Sequence, residues 1–237
     1  MSLSDKTFLA VIPARGGSKG IPGKNLALAG GRPLLAWTLD AARNSQCVDR
    51  TMVSTDDPAI AAAARDLGGE APFLRPAEIS GDNASPMLAI DHALAWLERE
   101  EDWSPDYVML LQPTSPLRLA EDIDNACRLA VEKDADAVVS VGEAVPHPYL
   151  TRTIDPDGKL ADFLTLPEGY PRRQEFPDVY ALNGAIYLAK REILVSRGTF
   201  YTNRTYAYVM PVARSLDIDT PWELHLADLL LRERPEK

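Results

Sequence analysis

Short β-rich runs and longer helical stretches alternate along most of this chain, and no other feature restricts its fold as tightly. Apolar, strand-like runs occupy 8–12, 51–54, 107–111 and 137–141, and helical spacing fills 34–42, 59–67, 87–99 and 123–132. In 87–99, Leu88, Ala89, Ala93, Leu94, Trp96 and Leu97 form an apolar stripe suited to packing on a sheet. Such alternation predicts a largely parallel sheet covered by helices on both faces. Regular elements return at 185–188 and 206–210, and a last helix runs from about 220 to 232, with Pro221 in its first turn and Glu223 near its start. Between them the rhythm breaks. The stretch 144–184 carries Pro146, Pro148, Pro156, Pro167, Pro171 and Pro177 without a helical stripe, and Asp155-Pro156-Asp157-Gly158 reads as a hairpin turn. With no repeat, no low-complexity linker and 237 residues, the expectation is one α/β domain over 1–237, with 144–184 as an excursion toward a partner chain.

Composition narrows the function classes. Hydrophobic residues are 46% and charged residues 25%, both globular values. The 25 Lys and Arg against 35 Asp and Glu leave a net charge of −10, which argues against nucleic acid or an anionic membrane as partner. No run approaches the ~18 apolar residues of a membrane span, and the short apolar run near the start is too brief for a secretory segment. Cys47 and Cys127 fit neither a CxxC site nor a disulfide framework, so buried free thiols and a reducing cytoplasm are expected. His92, His147 and His225 lack zinc-site spacing.

The most informative stretch follows the first strand: Pro13-Ala14-Arg15-Gly16-Gly17-Ser18-Lys19-Gly20-Ile21-Pro22-Gly23-Lys24-Asn25. Glycines let backbone N–H groups converge on an anion, and Arg15, Lys19 and Lys24 bring three cations to the same loop of an acidic chain. At the C-terminal edge of a parallel sheet such a loop holds phosphate. The wording is neither GxxxxGK[ST] nor GxGxxG, which leaves a longer, multiply charged cradle of the kind a nucleoside triphosphate needs.

Other residues carry chemistry of their own. Asp217 and Asp219 flank Ile218, and in an extended segment residues two apart share a side, so the pair suits a hard cation such as Mg²⁺. The alternative is an acidic turn in which Asp219 or Thr220 caps the last helix. Gln112 ends a strand ahead of prolines, and its amide either meets a substrate carboxylate or hydroxyl or braces the loop. Arg118 reads as pairing with Glu121 or Asp122, and Asp56 and Asp57 as a helix cap ahead of Pro58. Arg173, with Arg172 beside it as the alternative, matches a carboxylate bidentately. Asn183 and Gly184 open a strand where glycine admits a ligand close to the backbone.

In order, the glycine loop, Arg75-Pro76-Ala77-Glu78 with Asp82-Asn83-Ala84-Ser85, Leu110 to Arg118, Arg173-Gln174 with Asn183 to Tyr187, and Asp217-Ile218-Asp219-Thr220 resemble the five motifs of the cytidylyltransferases that activate nine-carbon 2-keto sugar acids, the sialic, legionaminic and pseudaminic acid type. Cytidylyltransferases for the eight-carbon acid Kdo share the fold but lack the Gly16 to Asn25 wording. The resemblance implies a Rossmann-like nucleotidyltransferase domain using CTP and Mg²⁺. Ala14, Arg15, Gly16, Gly17, Ser18, Lys19, Lys24, Asn25, Arg75 and Ser85 would meet the nucleotide. Gln112, Arg173, Asn183, Gly184, Phe200 and Tyr201 would meet the sugar acid, although Phe200 and Tyr201 also suit core or lid packing. Asp217 and Asp219 would hold the metal, and Arg15, Lys24 and these aspartates would carry catalysis. The sugar's C2 hydroxyl would attack the α-phosphorus and release pyrophosphate. A homodimer is implied as well, with the excursion from His147 onward at the interface; there the family carries a basic residue that reaches the partner's site, and Pro148 to Arg152 departs from its wording, with Arg152 the candidate equivalent. The competing readings are another nucleotidyltransferase of this fold and a non-catalytic nucleotide-binding homologue.

Overall fold

The computed structural model describes residues 3–18, 20–81, 84–165 and 172–233. In chain order the strands are β1 (Phe8–Pro13), β2 (Leu28–Ala29), β3 (Arg32–Pro33), β4 (Arg50–Ser54), β5 (Tyr107–Leu110), β6 (Ala137–Glu143), β7 (Arg152–Ile154), β8 (Leu160–Asp162), β9 (Tyr180–Lys190) and β10 (Thr205–Val209). The helices are α1 (Leu34–Arg43), α2 (Pro58–Asp66), α3 (Pro86–Glu101), α4 (Ala120–Glu132), α5 (Arg191–Arg197) and α6 (Pro221–Arg232).

Six strands form the main sheet in the order β10-β6-β9-β5-β1-β4. All neighbours are parallel except those of β9, which runs antiparallel to β5 and β6. The expected mostly parallel sheet is therefore present. β9 is reversed because the chain leaves β6 at Glu143, makes its excursion, and returns with Tyr180 paired to Glu143.

β1 shows how the sheet acquires two cores. Phe8, Ala10 and Ile12 pack with Leu35 and Leu39 of α1, Ile60 of α2 and Ile123 of α4. Leu9 and Val11 face the other way, onto Ile90, Leu94 and Leu97 of α3. The period of two in the strand meets a helical stripe on each side. A third cluster joins Ile21, Ala29, Leu34, Leu117, Ile218 and Leu231, and so ties the glycine loop to α6.

One expectation needs correction in extent, and some short elements were not expected at all. The strand placed at 185–188 is β9, eleven residues long; its first three positions are exposed and carry no burial signal. The β2–β3 hairpin and α5 are too short for periodicity to reveal. By contrast, the Asp155 turn forms as expected, with Asp155 Oδ1 accepting from the N–H groups of Asp157 and Lys159 between β7 and β8.

Candidate active site

The C-terminal ends of β1, β4 and β5 and the segment after β10 meet at one edge of the sheet, where open α/β sheets place their ligands. The glycine loop leaves β1 there. Ala14 is buried and its N–H donates to Ser54 O. The Asn25 side chain donates to Arg15 O at 2.9 Å, and the Gly16 N–H donates to Asp56 Oδ1 at 3.0 Å. A side chain at Gly16 would strike the Asp57 carboxylate, whereas Gly17 faces open space. Asn25 is thus a buried brace of the loop. Asp57 caps α2 as expected, but Asp56 does not share that work: it grips the loop and lies 4.0 Å from Arg75 Nη2. Arg75 is buried, donates to Ser80 Oγ at 3.0 Å, and has its acidity raised by burial and by the nearby Arg15 charge, against the pull of Asp56. Lys19, Asp82 and Asn83 lie outside the described residues. Ser18 is half-buried; Ser85 is exposed and caps α3 by accepting from the Met87 N–H.

The loop closes onto the acidic segment. Gly20 leaves no room for a side chain against the Asp219 carbonyl. Lys24 Nζ donates to Ile218 O at 2.8 Å and to Asp219 Oδ1 at 3.1 Å. Ile218 is buried and its N–H donates to Thr114 O, so the tripeptide is pegged by an apolar side chain between two carboxylates. The helix-cap alternative is resolved in favour of Thr220, which forms a reciprocal capping box with Glu223 and leaves both aspartate side chains for other work.

The two aspartates differ. Asp219 is three-quarters exposed. Asp217 is half-buried, and its Oδ1 is buried without a hydrogen-bond partner among the described residues. Burial pushes its carboxyl above the usual carboxylate range; the adjacent Thr114 hydroxyl opposes this, the Asp219 charge adds to it, and Lys24 opposes it again. Gly184 sits against this carboxylate at φ +71°, and an added Cβ would stand 2.8 Å from Asp217 Oδ2. No group of three or more His, Cys, Asp or Glu is placed to hold a metal ion among the described residues. Two carboxylates, one of them carrying an orphaned buried oxygen, fit Mg²⁺, which takes its remaining ligands from water and phosphate.

The segment 112–118 backs this arrangement. Gln112 is half-buried, and its carbonyl accepts from Thr38 Oγ1 and Arg118 Nη1, both at 3.3 Å. Arg118 is buried and pairs with neither Glu121 nor Asp122, as the sequence suggests it should. It donates to Ala185 O at 2.6 Å and to Thr38 Oγ1 at 2.8 Å, and burial pushes its guanidinium down to about 10. Asp122 takes Arg214 instead, at 2.8 Å and 2.9 Å, and also accepts from the Tyr208 hydroxyl and the Leu119 N–H.

Of the other residues expected to meet the sugar acid, Phe200 is buried against Tyr187 at a ring separation of 5.5 Å, as core packing places it, while Tyr201 is exposed. Burial, Tyr201 and the Asp217 charge all hold the Tyr187 hydroxyl above the ordinary phenol range. Thr114 and Tyr187 adjoin the Asp217 carboxyl and Asp56 grips the glycine loop, although sequence reasoning gave none of the three an individual role there; for Asp56 and Thr114 the available signal was a place just beyond a strand, whereas Tyr187 lies inside β9. The Arg173 side chain lies outside the described residues. The Asn183 side chain turns inward to Ser140, Ala185, Ser215 and Met210.

Comparisons with known proteins give the family and the fold. The family profile described as Cytidylyltransferase matches residues 9–232. The chain is 35% identical to CMP-N,N'-diacetyllegionaminic acid synthase of Legionella pneumophila over 97% of its length and 98% of the relative's. It is 36% identical to N-acylneuraminate cytidylyltransferase of Streptococcus agalactiae over 90% of its length but only 50% of the relative's, so it spans about half of that protein. A solved CMP:2-keto-3-deoxy-manno-octonic acid synthetase, complexed with CTP, superposes with a TM-score of 0.69 at 20% identity, covering 95% of this chain and 98% of the other, and shows the fold. With the loop, the strand-end glutamine and the paired aspartates in their motif order, this chain belongs to the cytidylyltransferase family.

Proposed function

We propose that the chain transfers CMP from CTP to the C2 hydroxyl of a nine-carbon 2-keto sugar acid and releases pyrophosphate, the whole of 1–237 acting as one domain with 144–184 as its excursion. The observation that carries this reading is the meeting of Lys24 with Asp217-Ile218-Asp219 under a glycine loop and beside Gly184. A cation, a carboxylate pair and a side-chain-free backbone at one point suit a polyphosphate and its metal.

Arg15, Lys19 and Lys24 would neutralise the charge growing on the leaving pyrophosphate. The Gly16 N–H is already committed to Asp56, so the loop's anion contacts fall to the backbone and side chains beyond it. Ala14, Gly16, Gly17, Ser18, Asn25, Arg75 and Ser85 would shape the nucleotide side. Gln112, Gly184, Tyr201 and Arg173 would face the sugar acid. Asp217 and Asp219 would hold Mg²⁺, which when bound polarises the α-phosphate and acidifies the attacking hydroxyl. No described helix is long and apolar enough to cross a membrane; we place the reaction in the cytoplasm, where its two unbridged cysteines suit a reducing medium.

We also infer a homodimer. Ile154, Leu160 and Phe163 in and beside the β7–β8 hairpin are all more than 60% exposed, an apolar surface that a second copy would cover. Arg152 is held there by Asp162 at 3.0 Å. The deciding experiment is pyrophosphate release with CTP and Mg²⁺ across N-acetylneuraminic, legionaminic, pseudaminic and Kdo acids. Release with one nine-carbon acid supports the reading; release with Kdo alone, or with none of the four, refutes it.

A further inference from the structure

Asn183 stands in the strand end that faces the site, yet its side chain has no hydrogen-bonding capacity left to offer a ligand. A primary amide has two donors and an oxygen with two lone pairs. Here Oδ1 accepts from Ser140 Oγ at 2.6 Å and from the Ala185 N–H at 3.2 Å. Nδ2 donates to Ser215 Oγ at 3.1 Å and toward Met210 Sδ at 3.3 Å. The residue is 5% exposed.

These four partners come from three segments. Ser140 lies where the β6–β9 register shifts, Ala185 is in β9, and Met210 and Ser215 bracket the turn that leads from β10 into the acidic tripeptide. Ser215 is two residues from Asp217. It is wedged on its other side against Gly142, where an added Cβ would come within 2.9 Å of its hydroxyl. The next residue after Asn183 is Gly184, whose missing side chain makes room for Asp217. One amide thus fixes the position of a β-bulge relative to the segment that carries the carboxylates.

We propose that Asn183 is a positioning residue for Asp217, acting through Ser215, and does not itself bind the sugar acid. This rests on the metal reading of Asp217 and Asp219 given above. Groups that orient metal ligands from behind commonly change metal affinity by 10–100-fold when removed, so Asn183→Ala should weaken the site about tenfold. Ser215→Ala, which takes away only the far end of the link, should act in the same direction by less. The double variant should cost less than the sum of the two, because both break one connection.

The test is Mn²⁺ binding to the full chain, followed by electron paramagnetic resonance in the absence of sugar, for wild type, N183A, S215A, the double variant and Asp217→Asn. Alongside it, the KM for the acid that supports turnover is measured at saturating metal. Weaker Mn²⁺ binding in S215A and N183A, with that KM within about twofold of wild type, is the expected result. S215A is the arm that decides if N183A does not fold. A KM that rises several-fold while Mn²⁺ affinity stays unchanged overturns the assignment and returns Asn183 to the sugar. If D217N itself binds Mn²⁺ as wild type does, the metal reading falls and this one with it. If D217N loses Mn²⁺ while S215A and N183A keep it, only the role of Asn183 falls.

Discussion

Two parts of the molecule are built to opposite standards. Around the paired aspartates, the segments 112–122, 183–185 and 210–219 are tied by buried side chains, Arg118 to Ala185 O, Asp122 to Arg214 and Asn183 to Ser215, and by one backbone bond from the Ile218 N–H to Thr114 O. In the excursion, β7 and β8 pair only with each other, every residue in both is exposed, and Ile154 and Leu160 stand at 71% and 70% exposure. An isolated two-stranded hairpin is marginal in water. The contrast teaches that the ties around the aspartates lie within one chain, whereas the apolar side chains of the hairpin are left uncovered by it.

The sharpest way to break that comparison is to show that the tied region tolerates a lost tie. Arg214→Met strands the fully buried Asp122 carboxylate without its cation. Breaking a buried pair from one side typically costs about 3–5 kcal/mol, so urea unfolding should show a loss of that order. Replacing both partners, as Asp122→Leu with Arg214→Met, should recover much of it, since it is the unpaired charge that destabilises. A loss below ~1 kcal/mol in the single variant would mean the region is looser than its hydrogen bonds suggest. Next in size is Gly184→Ala. It adds a Cβ 2.8 Å from Asp217 Oδ2 at a backbone φ of +71°, so either the carboxylate moves or the strand does. Displacement of a reacting group by about 1 Å commonly lowers turnover on the order of 10²-fold, to be read as kcat at saturating Mg²⁺.

Both regions differ in how far the sequence announces them. Alternation places β1, β4, β5, β6 and β10 within a residue or two, and Thr220 to Glu223 spells its own capping box. The glycine loop and the paired aspartates are legible because their chemistry is local, with backbone and charge carried in one short run. What sequence reasoning misassigned is long-range. Arg118 has acids three and four residues away, yet takes a carbonyl and a hydroxyl brought to it by β9 and α1. Asp56 looks like a capping neighbour of Asp57, yet it reaches 40 positions back to Gly16. Asn183 shares a motif with Gly184 but points the other way. A side chain's partner across the sheet depends on strand order, and strand order is not written in local periodicity.

A smaller effect would show whether the tied region extends to α3. His92 packs edge-on against Phe73, its Nδ1 is buried without a partner among the described residues, and burial, with the Arg75 and Arg99 charges, depresses its pKa. Protonation therefore favours the unfolded chain. The stability that neutral His92 contributes is fully present above its unfolded pKa of about 6.5 and is lost as pH falls through that value toward the lower folded one. Thermal unfolding at a series of pH values should show a shallower decline between about pH 7 and 5 in His92→Phe than in wild type. Parallel curves would mean that His92 protonates as easily in the fold as out of it.

The least thermodynamic effect belongs to the excursion, and its smallness is the point. Leu160→Asp with Phe163→Asp places charge on side chains that make no buried contact within one chain. Exposed substitutions of this kind usually shift unfolding by no more than about 0.5 kcal/mol, so at low protein concentration the urea midpoint should barely move. Light scattering should nevertheless drop from twice the 26.0 kDa chain mass to that mass itself. If the variant keeps the doubled mass, the open apolar surface is not where two copies meet. If instead the sheet unfolds with it, the hairpin belongs to the same cooperative unit as the tied region, and the division between a self-sufficient half and a shared one is lost.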